Sequence, residues 1–320
     1  NNIKLENDAN NLLLQKALDE ALDETRDIIG SKLQQQLPTE ENYFNDDDDE
    51  DSPQYKALLY VTRKKMEGII INNIFRNYTE ERLLRQYGLL IFYFTTMTDN
   101  DVKNKLLASN DDECEWYGIT CTKRSKEGKF YMRLDISNTA LVGTLPPELF
   151  ALLPLWIINL IDNPQLTGLI PTEIGLLSKL KYLVLQNNAL SGTIPTEIGL
   201  CRNLQVLSFQ SNNLTGSIPT EIGHLTDLDT ALSLGDNQLI GSIVTEIGML
   251  SDLELLQMNN NQLSGSLPTE IFALSKLTKL SLLGNSLTGS VSTKIGLLKL
   301  LTVLALNQNQ FNGCIPSEIG

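Results

Sequence analysis

Eight glycines, at 143, 168, 192, 216, 241, 265, 289 and 313, follow one another at intervals of 25, 24, 24, 25, 24, 24 and 24 residues. Four of them sit in near-copies of one phrase: LSGTIPTEIG from 190, LTGSIPTEIG from 214, LSGSLPTEIF from 263 and FNGCIPSEIG from 311. This period constrains the fold more than any other feature of the chain. A unit of about 24 residues cannot bury an apolar face by itself and does so only by stacking on its neighbours. The expectation is an α/β solenoid of about eight 24-residue repeats over residues 130–320.

One unit reads L-x-x-L-x-L-x-x-N-x-L-x-G-x-I-P-x-E-I-G, carried by Leu180, Leu183, Leu185, Asn188, Leu190, Gly192, Ile194, Pro195, Glu197, Ile198 and Gly199. The L-x-L part predicts a short strand whose leucines point inward and whose intervening residues point out. An inward asparagine satisfies buried backbone groups at the bend that leaves the strand, where no ladder partner exists. That structural row runs Asn163, Asn188, Asn212, Asn237, Asn261, Asn285 and Asn309, with Thr139 in an atypical first turn. The glycine permits a tight turn, and the proline suits the start of a short helical turn on the outer side. DNPQLTG at 162–168 has one extra residue between Asn163 and Leu166, and DLDTALSL at 227–234 has one before its strand. Both predict small bulges and no break in the solenoid.

On these residues the chain resembles the leucine-rich repeat family, in the plant-type extracellular form marked by L-x-G-x-I-P, over about residues 130–320. The resemblance implies a horseshoe, preceded here by an N-terminal helical segment, that serves recognition without naming a ligand. CEWYGITC at 114–121 is similar to the C-x-W-x-G-[IV]-x-C cap of such domains, matching at Cys114, Trp116, Gly118, Ile119 and Cys121. A Cys114–Cys121 disulfide is implied, with a reduced pair packed under Trp116 as the alternative. The order SPQYKALLYV, ERLLRQYGLLIFYF, CEWYGITC and repeats also resembles repeat proteins of diatoms and related algae, in which a membrane span often precedes the helical segment. Cys201 stands where the preceding repeat has Leu177 and reads as a small buried hydrophobe. Cys314 lies between four and five repeats further on, some 20 Å away at about 4.8 Å per stacked strand, too far for a bridge to Cys201. Its expected partner is a cysteine beyond Gly320.

The preceding residues divide into an acidic helix and linker (1–51), a helical segment (52–110) and the disulfide cap (111–129). Leu14, Leu18, Leu22, Ile29 and Leu33 are spaced for a helix over 3–37, and Leu83, Tyr87, Leu90 and Phe94 share one face of a helix over 80–97. The run NDDDDEDS at 45–52 reads as a solvated linker, since it lacks the central glycine and closing glutamate of a calcium loop. QYGLLIFYFTTMT at 86–98 is too short to span a membrane and reads as a buried helix. The chain starts at Asn1 without Met, and the expectation is a signal peptide or membrane anchor upstream. Of the net charge of −14, residues 1–50 contribute −10 (14 acids, 4 bases) and residues 114–320 contribute −4 (16 acids, 12 bases). Such a chain repels a polyphosphate backbone, so nucleic acid is not an expected partner.

No catalytic constellation emerges. The single histidine, His224, falls on an outer turn with no second His or inward Cys nearby, and reads as solvated. Glutamates 173, 197, 221, 246, 270 and 318 form a row on the outer turns rather than an opposed pair across a cleft. Phosphate loops, G-x-S-x-G and spaced Cys/His clusters are missing from the sequence. The expectation is a protein that is not an enzyme and uses no cofactor or metal.

The outward strand residues define a concave face. They include Ile157, Asn159 and Ile161; Tyr182, Val184 and Gln186; Val206, Ser208 and Gln210; Leu255, Gln257 and Asn259; and Lys279 and Val303. Apart from Arg133, Asp135 and Lys279 this face is uncharged. A solvated sheet face would carry more Lys and Glu, so the pattern points to a partner surface. The alternative is that β-branched residues merely favour strands. Two N-x-[ST] sequons mark Asn77 and Asn213 for glycosylation in a secretory compartment. The combined expectation is a recognition or scaffold protein, extracellular or membrane-associated at the cell surface, binding a protein, peptide or glycan ligand. The competing expectation is a structural subunit of a larger cell-surface assembly.

Overall fold

The structure is a computed structural model that describes residues 23, 25–32, 34, 52–54, 57–58, 80–97, 112–122 and 130–319. The acidic run from 45 to 51, most of the helix expected over 3–37 and the sequon at Asn77 lie outside the described residues.

Nine strands form one sheet, in chain order Ile119–Cys121, Met132–Asp135, Leu155–Asn159, Tyr182–Val184, Val206–Ser208, Ala231–Ser233, Leu255–Gln257, Lys279–Ser281 and Val303–Ala305. The first pair is antiparallel and the later pairs are parallel. Each coil lays its strand beside the equivalent residues of the one before, so Tyr182 faces Val206, Val206 faces Ala231, and Ala231 faces Leu255. Alternation then stacks Leu183, Leu207, Leu232, Leu256 and Leu280 into one fully buried column. Each such leucine contributes about 1.5–3 kcal/mol by leaving water. The fold is a leucine-rich repeat solenoid.

The inward asparagines bond to backbone groups at the bends out of the strands. Asn212 donates from Nδ2 to the Leu185 carbonyl at 2.8 Å and to that of Phe209 at 3.0 Å, while its Oδ1 accepts the Leu190 N–H at 3.0 Å. In the first coil Thr139 takes part by donating its N–H and hydroxyl to Asn163 Oδ1, at 3.2 and 3.3 Å. The residue before each of these asparagines adopts left-handed backbone, as at Asp162, Asn187, Ser211, Asp236 and Asn260. Asn and Asp tolerate that conformation best among residues with a Cβ.

Past the bend each coil forms a strand of a lateral sheet and then an outer turn, which is a short α-helix, Pro147–Leu152, in the first coil and a 3-10 turn such as Thr196–Leu200 or Thr220–His224 in later ones. Pro171, Pro195, Pro219 and Pro268 immediately precede their turns, in extended backbone. Where the phrase has a second glycine, that glycine answers to stacking. A Cβ on Gly199 would lie 2.6 Å from the carbonyl oxygen of Glu221, in the next coil's turn.

The extra residue at 162–168 shifts the lateral register between Asn163 and Thr167. The one at 227–230 leaves the nine-stranded sheet continuous. At that coil, however, the lateral wall divides into two four-stranded sheets joined by the bridge Ser217–Ile240.

The helix Glu80–Thr96 matches the expected span, but its burial is not confined to one face. Tyr87 and Leu90 are buried, and so are Leu89, Ile91, Phe92 and Tyr93. It packs on the first coil, where Gly143, at φ +74, accommodates the Thr95 carbonyl 2.3 Å from where a Cβ would stand. Ile29, Ala57 and Leu58 belong to the same core. The helix is tied to the cap by Glu113, which accepts from Arg85 at 2.8 Å and from Arg82 at 3.2 Å, while Arg85 stacks 4.7 Å from the centre of Phe130. Cys114 and Cys121 form a disulfide with Cα atoms 5.3 Å apart, and Trp116 is buried beside it. Among the described residues no helix is long and apolar enough to cross a membrane.

Candidate ligand-binding face

Parallel pairing aligns the outward strand residues into rows about 4.8 Å apart per coil. The row nearest the strands' N-terminal edge runs Ile157, Tyr182, Val206, Ala231, Leu255, Lys279 and Val303 and is mostly apolar. The next runs Asn159, Val184, Ser208, Ser233, Gln257, Ser281 and Ala305. Just beyond the strands lie Ile161, Gln186, Gln210, Gly235, Asn259, Leu283 and Asn307, rich in amides. The face is therefore graded across its width, from aliphatic to hydrogen-bonding.

Its polar groups are linked to one another. Ser208 donates to Gln186 Oε1 at 3.2 Å and Ser233 to Gln257 Oε1 at 3.1 Å. Ser208, expected as a contact residue, is only 5% exposed and forms floor beneath Gln186. Asp236 accepts from Gln210 at 3.1 Å, from Asn259 at 3.2 Å and from Asn260 at 2.7 Å. Asp135 accepts from Arg133 and from Asn159, so two of the three charges expected on the face neutralise each other. Lys279 and Val303 are exposed, whereas Ile157, Ile161, Tyr182, Val184, Val206 and Leu255 are half-buried.

Sequence reading missed the edge of this face. Beside the inserted residue at 227–230 lies a polar hollow of about 410 Å³ lined by Gln205, Thr226, Asp227, Asp229, Asp252, Glu254 and Lys276. The only available signal was the extra residue in DLDTALSL. Elsewhere, His224 is exposed at the end of its outer turn, at the position held by Leu176, Leu200, Met249 and Leu297 in other coils. Cys201 is fully buried, with Sγ 3.1 Å from the Ile174 carbonyl, and burial pushes its thiol up to about 12. Cys314 is a free, exposed thiol. Among the described residues no three His, Cys, Asp or Glu side chains are grouped to hold a metal.

Residues 179–201, 203–225 and 252–274 match the Leucine Rich Repeat family. Among solved structures, the chain is similar to the repeat ectodomain of the membrane receptor kinase GASSHO1/SCHENGEN3 from Arabidopsis thaliana, in complex with CASPARIAN STRIP INTEGRITY FACTOR 2. That match has 31% identity and a TM-score of 0.59, over 70% of this chain and 29% of the other. PEPR1 in its complex with AtPEP1 matches at 32% identity and TM-score 0.63, over 70% of this chain and 31% of that one. The Arabidopsis receptor kinase HAESA, in complex with the peptide hormone IDA and the co-receptor SERK1, matches at 27% and TM-score 0.56, over 76% and 44%. This chain thus spans less than half the length of each. The repeats and their parallel sheet give this chain the leucine-rich repeat fold that these structures share.

Proposed function

We propose that this protein is a non-catalytic recognition module of the extracellular space, which binds a peptide or an extended protein segment on its concave face. The graded, almost uncharged face carries the reading. A row of aliphatic and aromatic side chains beside hydrogen-bonded amides suits a chain that offers both side chains and backbone groups. The amides are already ordered by Asp236 and the buried serines, so less freedom is lost on binding. The peptide-bearing complexes of similar ectodomains support the same class of ligand.

The test begins with cross-linking mass spectrometry on protein isolated gently from its source, to identify what lies on the face. Charged substitution of Tyr182, Val206 and Leu255 together is then expected to weaken that partner by at least a hundredfold, about 2.8 kcal/mol, a loss that two such apolar anchors at about 2 kcal/mol each already exceed. Circular dichroism should remain unchanged. Undiminished binding by the triple variant would overturn the proposal. Cross-links dominated by a fixed complex through the helix Glu80–Thr96 and the cap would favour a structural subunit instead.

A further inference from the structure

The solenoid's lateral wall has a composition that concave-face recognition does not use. In each phrase three positions face outward, those on either side of the first leucine and the one after the glycine. Over eight coils none of these positions holds Asp, Glu, Lys or Arg. The wall is instead made of residues such as Thr167, Thr193, Thr215, Ser242, Ser264 and Thr288, all exposed. At about 4.8 Å per coil it runs roughly 34 Å, an uncharged β surface with two four-stranded sheets. No charge on this surface repels a second molecule that approaches it.

Near the middle of this wall stands Asn213, at the seam. It opens the strand Asn213–Thr215, the last of one lateral sheet, and the next coil joins only through the bridge Ser217–Ile240. The alternation of that strand is exposed, buried, exposed. Leu214 points into the core, so Asn213 and Thr215 both project into solvent on the same side. Asn212 is the reverse: its side chain is 7% exposed and committed to three buried backbone groups. Of the two adjacent asparagines, Asn213 is the one whose amide is accessible, and it begins Asn-Leu-Thr.

We propose that Asn213 carries an N-linked glycan that covers the lateral wall and leaves the concave face open to its partner. The attachment forms a bond between Asn213 Nδ2 and C1 of the first sugar of a polyprenyl-diphosphate oligosaccharide donor. The bond from C1 to the phosphate oxygen breaks, the lipid diphosphate leaves, and Nδ2 gives up one proton. Thr215 supplies the hydroxyl that the acceptor sequence requires. Because Leu214 is buried and Asn213 heads a lateral strand, the sugar is directed away from the nine-stranded sheet, to the side on which Ser191 and Gln238 lie.

This inference rests on the extracellular reading, and one experiment separates the two. Protein isolated from its source is alkylated without reduction, digested, and treated with peptide N-glycosidase in ¹⁸O water, after which the peptides containing Cys114–Cys121 and Asn213 are read together. The expected result is a disulfide-linked Cys114–Cys121 peptide with position 213 recovered as ¹⁸O-labelled aspartate. A linked cysteine pair with unmodified Asn213 overturns the glycan while leaving the extracellular reading intact. Alkylated, unlinked cysteines with unmodified Asn213 overturn both. Asn213→Gln and Thr215→Ala are each expected to remove one glycan step in gel mobility, and Thr215→Ser to retain it. Loss in Asn213→Gln alone, with Thr215→Ala still modified, overturns the acceptor assignment.

Discussion

Replacing Asn212 by alanine tests the physical basis of the repeat. Its amide serves the Leu185 and Phe209 carbonyls and the Leu190 N–H at 2.8–3.0 Å, in a site only 7% exposed. Alanine leaves these three groups without that partner. The Leu185 and Phe209 carbonyls still accept from Asn188 and Asn237, so the Leu190 N–H is the group left unsatisfied. At about 1–3 kcal/mol for that N–H and about 0.5–1 kcal/mol for each carbonyl bond lost, the cost is about 2–4 kcal/mol, a large part of a stability of roughly 5–15 kcal/mol. Asn309 makes the equivalent bonds in the last coil, at 2.8, 3.0 and 3.0 Å, but is half-buried. Water can replace its amide, and Asn309→Ala is expected to cost about 1 kcal/mol. Because a solenoid unfolds by neighbouring units, the suitable assay is native-state hydrogen exchange at peptides covering 185–215 and 282–309. Leu190 exchange should speed up at least about thirtyfold in Asn212→Ala, and Leu287 exchange about tenfold or less in Asn309→Ala. Equal effects at the two sites, or an Asn212→Ala cost below about 1 kcal/mol, would refute the idea that the row acts by satisfying buried backbone.

The two free cysteines should separate cleanly: at pH 8 a thiol reagent finds one reactive group, Cys314, in the native protein and a second only after unfolding, and two fast thiols would contradict the burial of Cys201. Because the Cys201 thiol is pushed up to about 12 in the fold, its contribution is intact below an unfolded value near 8.5. It is lost as pH rises between the two, since the unfolded thiol releases its proton first, and Cys201→Ala should flatten the fall in stability measured from pH 9 to 11. Glu113→Ala removes the buried carboxylate facing Arg85 and should loosen the helix Glu80–Thr96 by about 3–5 kcal/mol, seen as faster proteolysis within it; unchanged protection would count against the clamp. Gly199→Ala brings a Cβ within 2.6 Å of the Glu221 carbonyl and should cost about 1–3 kcal/mol in thermal unfolding, whereas a neutral result would show that adjacent coils yield freely.

Much of this protein is determined by its sequence alone. The period of the glycines sets the number of coils, the alternation in L-x-L sets which side chains enter the core, and each inward asparagine marks the bend out of a strand. These features are local and repeat, so each copy strengthens the inference from the others. The cap motif likewise foretells the Cys114–Cys121 bridge. Three-dimensional stacking decided the rest. Only the register between coils divides the concave face into an aliphatic row and amide rows, because which residues become neighbours depends on strands 24 or 25 positions apart. Only packing shows Ser208 as floor rather than contact, Arg133 and Asp135 as a neutral pair, and the helix Glu80–Thr96 as buried beyond one face. A linear pattern states which way a side chain leaves its own backbone; what it meets there depends on neighbours that the fold brings from distant parts of the chain.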